Sequence, residues 1–283
     1  MRIVRNWLVR DNRSHRTVIA HISIDNATMD KSELKRCDWI AGLEKGLRII
    51  EAFNDAHPRL TASTAARRTG ITRTAARRQL LTLQHLGYVE SDGQLYWLTP
   101  KVLRLGWSYF DSAKTPRAAQ PHLQRISIAL GGAAFFAVLD EDDVVFVARD
   151  GSSQVQNVGF VLGARLSANL VAAGVAMLSC RTPQEIDQWL AGRKFVPYTP
   201  YTATTETAVR EVINTARING YALLEQQLSL AVRGLAVPIR RRNGEIVGAI
   251  SVSLPMSNES SERAIARALP LLREAEYALI SAL

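Results

Sequence analysis

The spacing of apolar and polar positions changes period several times along the chain, and each change predicts an element. In GLEKGLRIIEAF, Leu43, Leu47, Ile50 and Phe53 recur at helical spacing, which predicts an amphipathic first helix ended by His57-Pro58. Thr61 and Ser63 offer caps for a second helix through Arg68, and Gly70 supplies a turn. A third helix is predicted from Thr72 to Leu86, stopped by Gly87, with Ala76, Leu80 and Leu83 on its inward stripe. Tyr88-Val89 and Leu95-Tyr96-Trp97 then flank Asp92-Gly93, a strong hairpin signal. Three helices and a tight hairpin make a winged helix-turn-helix; the plainer alternative is a small helical domain that carries a hairpin. Pro100 opens a further helix with Leu103, Trp107 and Phe110 along one side, ended at Thr115-Pro116, either a rigid connector or a dimer seam.

Beyond residue 117 strands and helices mix. His122 to Leu130 has helical spacing, broken by Gly131-Gly132. AAFFAVLDEDDVVFVARD reads as two apolar strands around an acidic turn at Asp140 to Asp143. Val171 to Cys180 is small and apolar, the pattern of a buried helix. Thr182 caps a short helix over Pro183 to Leu190, and Thr205 to Asn219 is a longer amphipathic helix stopped by Gly220. LAVPIRRRNGEIVGAISVSL is a hairpin about Asn243-Gly244, and a final helix covers residues 259–282. The expected fold class is α+β: a winged helix-turn-helix at 39–99, a linker helix at 100–116, and a second domain at 117–283 on an antiparallel sheet. Residues 1–38 lack periodicity and read as a basic arm, either phosphate-contacting or inert; a translation start at Met29 would leave the rest intact.

Charge adds a partner to this picture. A net charge of +9 favours a polyanion, and the charge is unevenly placed. No Asp or Glu occurs from Ala56 to Val89, while Arg67, Arg68, Arg73, Arg77 and Arg78 crowd the centre of that stretch. On a helix starting at Thr72, Arg73/Arg77 and Thr74/Arg78 are i,i+4 pairs on neighbouring stripes, so one face is basic and hydroxylated. The expected partner is double-stranded operator DNA. Thr72, Arg73, Thr74, Arg77 and Arg78 are placed at the major groove, and Thr61 and Ser63 at backbone phosphates. Gln94 and Tyr96 are placed on a wing against sugar-phosphate or the minor groove. Arg67 and Arg68 read as phosphate contacts or solvated charges, and Arg240-Arg241-Arg242 is a second basic run.

Candidate chemistry is sparse. The two cysteines, Cys37 and Cys180, form neither a zinc finger nor a disulfide framework, which fits a cytoplasmic protein. The apolar runs are too short to span a membrane. The histidines are His15, His21, His57, His85 and His122, so a Ser-His-Asp triad confined to the second domain is excluded and Cys180 has no local base. Asp140, Glu141, Asp142 and Asp143 fit a solvated hairpin tip better than a metal site, and no Gly-rich phosphate loop follows a strand. No metal, no cofactor and no enzymatic activity is expected. An architectural DNA binder would account for the charge but not for so large a second domain.

At this point the chain resembles a known family. GLEKGLRIIEAF, the helix-turn-helix, the hairpin and YWLTPKVLRLGWSYF are similar to the IclR family of bacterial transcription regulators. GARLSANLVAAGVAML, NGYALLEQQLSLAVRGLAVPI and NGEIVGAISVSLP follow in the family's order, so the resemblance covers Trp39 to Leu283. The opening DWIAGLEKGL and the loop FVPYTPYT are most similar to the branch that controls catabolism of protocatechuate or para-hydroxybenzoate. The resemblance implies a GAF-like effector domain after the linker helix, a small organic acid effector, homodimers or tetramers on palindromic operators, and RNA polymerase as a further partner.

By position it also implies an effector site. Ser251 and Ser253 match two serines of the last central strand, and their spacing of two points them to one side. Ala172 and Ala173 match small residues at a helix start, where N–H groups receive an anion. Val158 and Leu166 match apolar wall positions, and Gly234 matches a small residue. Two departures stand out: Leu166-Ser167-Ala168-Asn169-Leu170-Val171 lacks the family's Pro and His, and Leu224 replaces an acid, with Glu225 next. A more apolar pocket implies an aromatic or bulkier acid, or a site that has drifted. Arg149 and Arg233 are candidate countercharges, each equally readable as a surface or sheet-edge ion pair.

Overall fold

The computed structural model of the protein describes residues 38–151, 162–256 and 259–282, with the backbone of β1 (Leu8–Val9) and β2 (Val18–Ile19), which pair antiparallel. The rest of the expected basic arm, and Val158, lie outside the described residues. The chain divides into two units, Met1–Lys101 and Val102–Leu283.

The first unit holds α1 (Ala41–Glu51), α2 (Ala62–Thr69), α3 (Arg73–His85) and the hairpin β3 (Val89–Ser91) to β4 (Tyr96–Leu98). Local chemistry sets its corners. Thr61 accepts the Thr64 N–H at 3.1 Å to start α2, and Thr72 accepts that of Ala75 at 3.2 Å to start α3. Between them Gly70 takes φ 70°, the left-handed conformation that ends a helix at little cost in glycine. Ile49, Leu60, Ala65, Ala76, Leu80, Leu83, Val89 and Tyr96 close the core. The expected stripe on α1 is only half right. The helix is rotated so that Ile49, Ile50 and Phe53 face inward. Leu43 and Leu47 remain 61% and 46% exposed.

The second unit starts with α4 (Leu103–Ser112), none of whose residues is buried, and α5 (Lys114–Leu130). The two are separated at Ala113, which is extended at φ −84°, ψ 111°. Thr115-Pro116 therefore does not end the earlier helix: it lies in the first turn of α5, where a missing N–H costs nothing. The apolar stripe Pro116, Ala119, Leu123, Ile126 and Leu130 carries α5 well upstream of the expected His122.

The strands are β5 (Ala133–Asp140), β6 (Asp143–Asp150), β7 (Arg165–Ser167), β8 (Ala222–Glu225), β9 (Val232–Arg240) and β10 (Ile246–Pro255). They form one antiparallel sheet in the order β7-β6-β5-β10-β9-β8. The edge strands β7 and β8 are too short to register as a period-two pattern and were not expected. One face, through Phe136, Leu235, Val237, Ile250 and Val252, packs on α5 and on α9 (Ser261–Ala282). The other, through Phe135, Ala137, Phe146 and Ala249, packs on α6 (Ala172–Leu178), α7 (Pro183–Leu190) and α8 (Glu206–Asn219). The expected α+β class with an antiparallel sheet holds. Among the described residues no helix is long and apolar enough to cross a membrane.

Candidate functional site

In the first unit the exposed face of α3 carries Arg73, Thr74, Arg77 and Arg78. None of these arginines has an ion-pair partner among the described residues, so their guanidinium forks are available. The cap leaves the Thr72 O–H free to donate. Ser63 is exposed in the first turn of α2, and the Thr61 oxygen, half-buried, caps that helix and lies 3.1 Å from the Thr64 hydroxyl. These positions lie at the start of α2 and along the first two turns of α3, which Gly70 links to the end of α2, a geometry that presents donors to a phosphate backbone and arginine forks to base edges.

The wing divides differently from expectation. Gln94 is exposed at the hairpin tip. Tyr96 is buried: it packs in the core, and its backbone exchanges two hydrogen bonds with Leu60, at 2.8 and 2.9 Å. The alternation of the short strand turns Tyr96 inward, which removes it from any DNA-facing set. Its neighbour Trp97 stacks under Arg59, 4.5 Å from the ring centroid, and donates to Glu90. Arg68 is exposed and is also engaged within the unit. It donates to the Ala52 carbonyl at 2.9 Å and contacts His57 Nδ1 at 3.1 Å, fastening α2 to the end of α1.

The hairpin turn depends on Asp92. Its carboxylate accepts the N–H groups of Leu95 and Gln94 at 2.8 and 3.0 Å, and these bonds, that of Leu95 first, hold its pKa below the ordinary value. A depressed acid contributes stability above its unfolded pKa and loses it as pH falls through the folded one. Protection of the Gln94 and Leu95 amides, measured by NMR against their intrinsic exchange rates, is expected to persist at pH 5 and to be lost only below the usual Asp value of about 3.9. Loss of protection already at pH 5 would contradict this role.

In the second unit a cleft of about 490 Å³, mouth included, opens between the sheet and the start of α6. Its wall contains Ser251 and Ser253 from β10, Gly234 from β9, Leu224 from β8, and Ala172 with Ala173 at the first turn of α6. Six of the eight expected positions are thus brought together. Ser251 stands opposite Phe135 and Ala236, and Ser253 opposite Ala133 and Gly234, so both serines share the cleft face. They are 6% and 5% exposed, and neither hydroxyl has a hydrogen-bond partner among the described residues. Two hydroxyls on one face of a cavity make a polar binding surface. The N-cap residue of α6, Val171, has an apolar side chain that cannot accept from the N–H groups after it. A Cβ on Gly234 would stand 3.2 Å from Ala172 Cβ, so a small residue here lets α6 approach the sheet.

Two expectations change. Leu166 lies on the edge strand β7 opposite Val144 and packs against the core without lining the cleft. Arg233 points to the opposite face. It is 3% exposed, bonded to Glu225 at 2.5 Å and to the start of α9 through Ser260, Glu259 and Ser261, so it cannot serve as a ligand countercharge. The acidic turn is exposed, as expected of a solvated tip, and is also ion-paired, Asp140 and Asp143 with Arg165 and Asp142 with Arg193. Arg149 does share the cleft face, in register with Phe135 and 5.9 Å from its ring centroid. Phe135 and Phe146, tilted with centroids 5.1 Å apart, and the segment Gln226 to Ser229 also line the cleft. Sequence reasoning missed them because strand register between distant segments decides which residues adjoin the serines.

Residues 42–93 match a family model described as the IclR helix-turn-helix domain, and residues 107–280 one described as the bacterial transcriptional regulator IclR C-terminal domain. The chain is 36% identical over 246 residues to the p-hydroxybenzoate hydroxylase transcriptional activator of Acinetobacter baylyi, covering 85% of this chain and 91% of that protein. The Pca operon regulatory protein of the same organism is 33% identical over 255 residues, 89% of this chain and 91% of its own. A solved structure from Rhodococcus sp. RHA1, described as a transcriptional regulator, superposes with a TM-score of 0.75 at 35% identity, covering 86% of this chain and 98% of that one.

Proposed function

The chain belongs to the IclR family of transcriptional regulators, and from that premise we propose that it controls an aromatic-catabolic operon in response to an aromatic carboxylic acid. One observation carries the sensing half: the Ser251 and Ser253 hydroxyls, with no hydrogen-bond partner among the described residues, share a cleft whose remaining wall is largely apolar and includes Phe135 and Phe146. The hydroxyls and the N–H groups of Ala172 and Ala173 receive the carboxylate, and the apolar wall with Leu224 receives the ring. The names of the two Acinetobacter relatives support an aromatic acid over a two- or three-carbon one.

On the DNA side, Arg73, Thr74, Arg77 and Arg78 read the major groove. Thr61, Ser63 and Thr72 hold phosphates, and Gln94 meets the backbone from the wing. The working form is a homo-oligomer on a palindrome. Two apolar surfaces support self-association: Trp39, Ile40, Leu43 and Leu47 about α1, and Leu103, Leu105, Trp107 and Tyr109 on α4, all exposed in the single chain. A two-fold assembly presents two α3 helices to two half-sites.

A thermal-shift screen of aromatic and short aliphatic acids tests the sensing half, because a ligand of the folded state raises the melting point by mass action. Aromatic acids should raise it; a response confined to two- or three-carbon acids would replace the aromatic reading. Ser251→Ala is expected to weaken binding of the responding acid roughly tenfold, since one hydrogen bond to a charged group is lost. Operator affinity without ligand should stay at the wild-type level. Calorimetry that finds normal acid affinity in this variant would remove Ser251 from the site.

A further inference from the structure

A wing that lies against DNA faces phosphates, yet from Tyr88 to Thr99 the sequence holds two acids, Glu90 and Asp92, and no lysine or arginine. A cation reaches the wing from another segment. Leu60, just before α2, exchanges backbone hydrogen bonds with Tyr96 of β4 as an isolated antiparallel bridge. Leu60 and Tyr96 both turn into the core. Alternation therefore turns Arg59 and Trp97, one step from the bridge on each segment, to the outer face. There the Arg59 guanidinium lies 4.5 Å from the centroid of the Trp97 ring.

The stack fixes the arginine and leaves its donors free. Trp97 is anchored in turn, because its indole N–H donates at 3.2 Å to Glu90, its cross-strand neighbour in the hairpin. The Asp92 carboxylate is taken up by the N–H groups of Leu95 and Gln94. Neither acid forms an ion pair with Arg59 among the described residues, and the exposed guanidinium has no hydrogen-bond acceptor there. Arg48 and Arg68 of the same unit differ: one pairs with Glu44, the other donates to the Ala52 carbonyl. A guanidinium stacked through its flat face still presents N–H groups around its edge. Held on a ring, it also gives up less side-chain freedom when it takes a ligand than a free arginine does.

Arg59 stands two residues before Thr61 and four before Ser63, both assigned above to phosphates at the start of α2. We propose that Arg59, stacked on Trp97, is the cation through which the wing meets DNA, donating to a backbone phosphate beside the groove that α3 enters. Trp97 is its positioning residue. The contact adds affinity and register without base preference. The inference rests on the operator-binding reading above.

The probe is a duplex that the full-length wild-type protein enriches from a random pool, titrated by fluorescence anisotropy over a range of salt. Arg59→Met keeps a stem on the ring and removes the charge. It is expected to weaken binding roughly tenfold, as loss of a hydrogen bond to a charged group does. The slope of log affinity against log salt should become smaller by about one for each protomer bound. The ranking of single-base variants of the duplex should stay as in the wild type. Trp97→Leu keeps the charge and removes the ring, so affinity should fall about threefold with the slope unchanged. Trp97→Phe, which restores a ring, should recover most of that loss. In the Arg59→Met background Trp97→Leu should cost no further DNA affinity, because a positioning residue acts only through the residue it positions. Wild-type affinity and slope in Arg59→Met would overturn the contact and leave operator binding standing. Loss of preference at one base pair would make Arg59 a base reader and overturn the phosphate assignment. Equal losses from Trp97→Leu in both backgrounds would overturn the positioning role. A wild-type protein that enriches no duplex would overturn operator binding and this contact together.

Discussion

Arg77→Ala is expected to weaken operator binding by about 1–3 kcal/mol and to relax the base preference at one position of each half-site. The size follows from geometry. Arg77 lies on the exposed face of a helix whose cap, Thr72, and whose packed stripe, Ala76, Leu80 and Leu83, fix its direction. No acid competes for its fork among the described residues. A guanidinium in that position makes a bidentate pair with guanine or a salt-sensitive contact with phosphate, and the two have different signatures. Anisotropy titrations against single-base operator variants, repeated over a range of salt, separate them. Loss of discrimination at one base marks a reader. A uniform loss, with a salt slope smaller by about one, marks a phosphate contact. Unchanged affinity and unchanged base preference would remove Arg77 from the interface. Because Arg73, Arg77 and Arg78 share one face, the same series on each assigns the roles within the set.

Gly174→Ala should lower the melting point of the protein by several degrees and reduce acid binding with it. In an ordinary helix this exchange is favourable, because alanine is the better helix former by about 1 kcal/mol. Here the new methyl group would stand 2.2 Å from the Ala168 carbonyl oxygen and 2.6 Å from Ala168 Cα. Those are backbone atoms of a turn that follows β7, and they cannot rotate away as a side-chain tip would. Overpacking of this kind costs about 1–3 kcal/mol and sometimes more, so it outweighs the propensity gain. Relief requires α6 to move off the Ala168–Leu170 turn, which carries Ala172 and Ala173 away from Ser251 and Ser253. Scanning calorimetry with and without a responding acid checks both effects. A variant as stable as wild type would show that the turn yields, and normal acid affinity would uncouple Gly174 from the cleft.

The sequence by itself determined whatever a few neighbouring residues decide. The caps at Thr61 and Thr72, the left-handed turn at Gly70, the hairpin at Asp92-Gly93 and the basic face of α3 all arise within one or two turns of chain. Capping bonds, allowed φ and side-chain period are local quantities, so they can be read without a fold. The spacing of Ser251 and Ser253 likewise put them on one side of a strand, and a family resemblance gave that side a purpose.

Tertiary packing sets what those residues face. It turned Leu43 and Leu47 outward by seating Ile49, Ile50 and Phe53 in the core, and it buried Tyr96 while leaving Gln94 at the tip. It tied Arg68 to Ala52 and Arg233 to Glu225, two arginines that charge counting alone leaves free. It set Phe135 beside Ser251 and brought Gln226 to Ser229 to the cleft wall. Each outcome depends on register and burial between segments distant in sequence. These are settled by which pairing covers most apolar surface and leaves fewest polar groups unpaired, a property of the whole unit and of no single stretch.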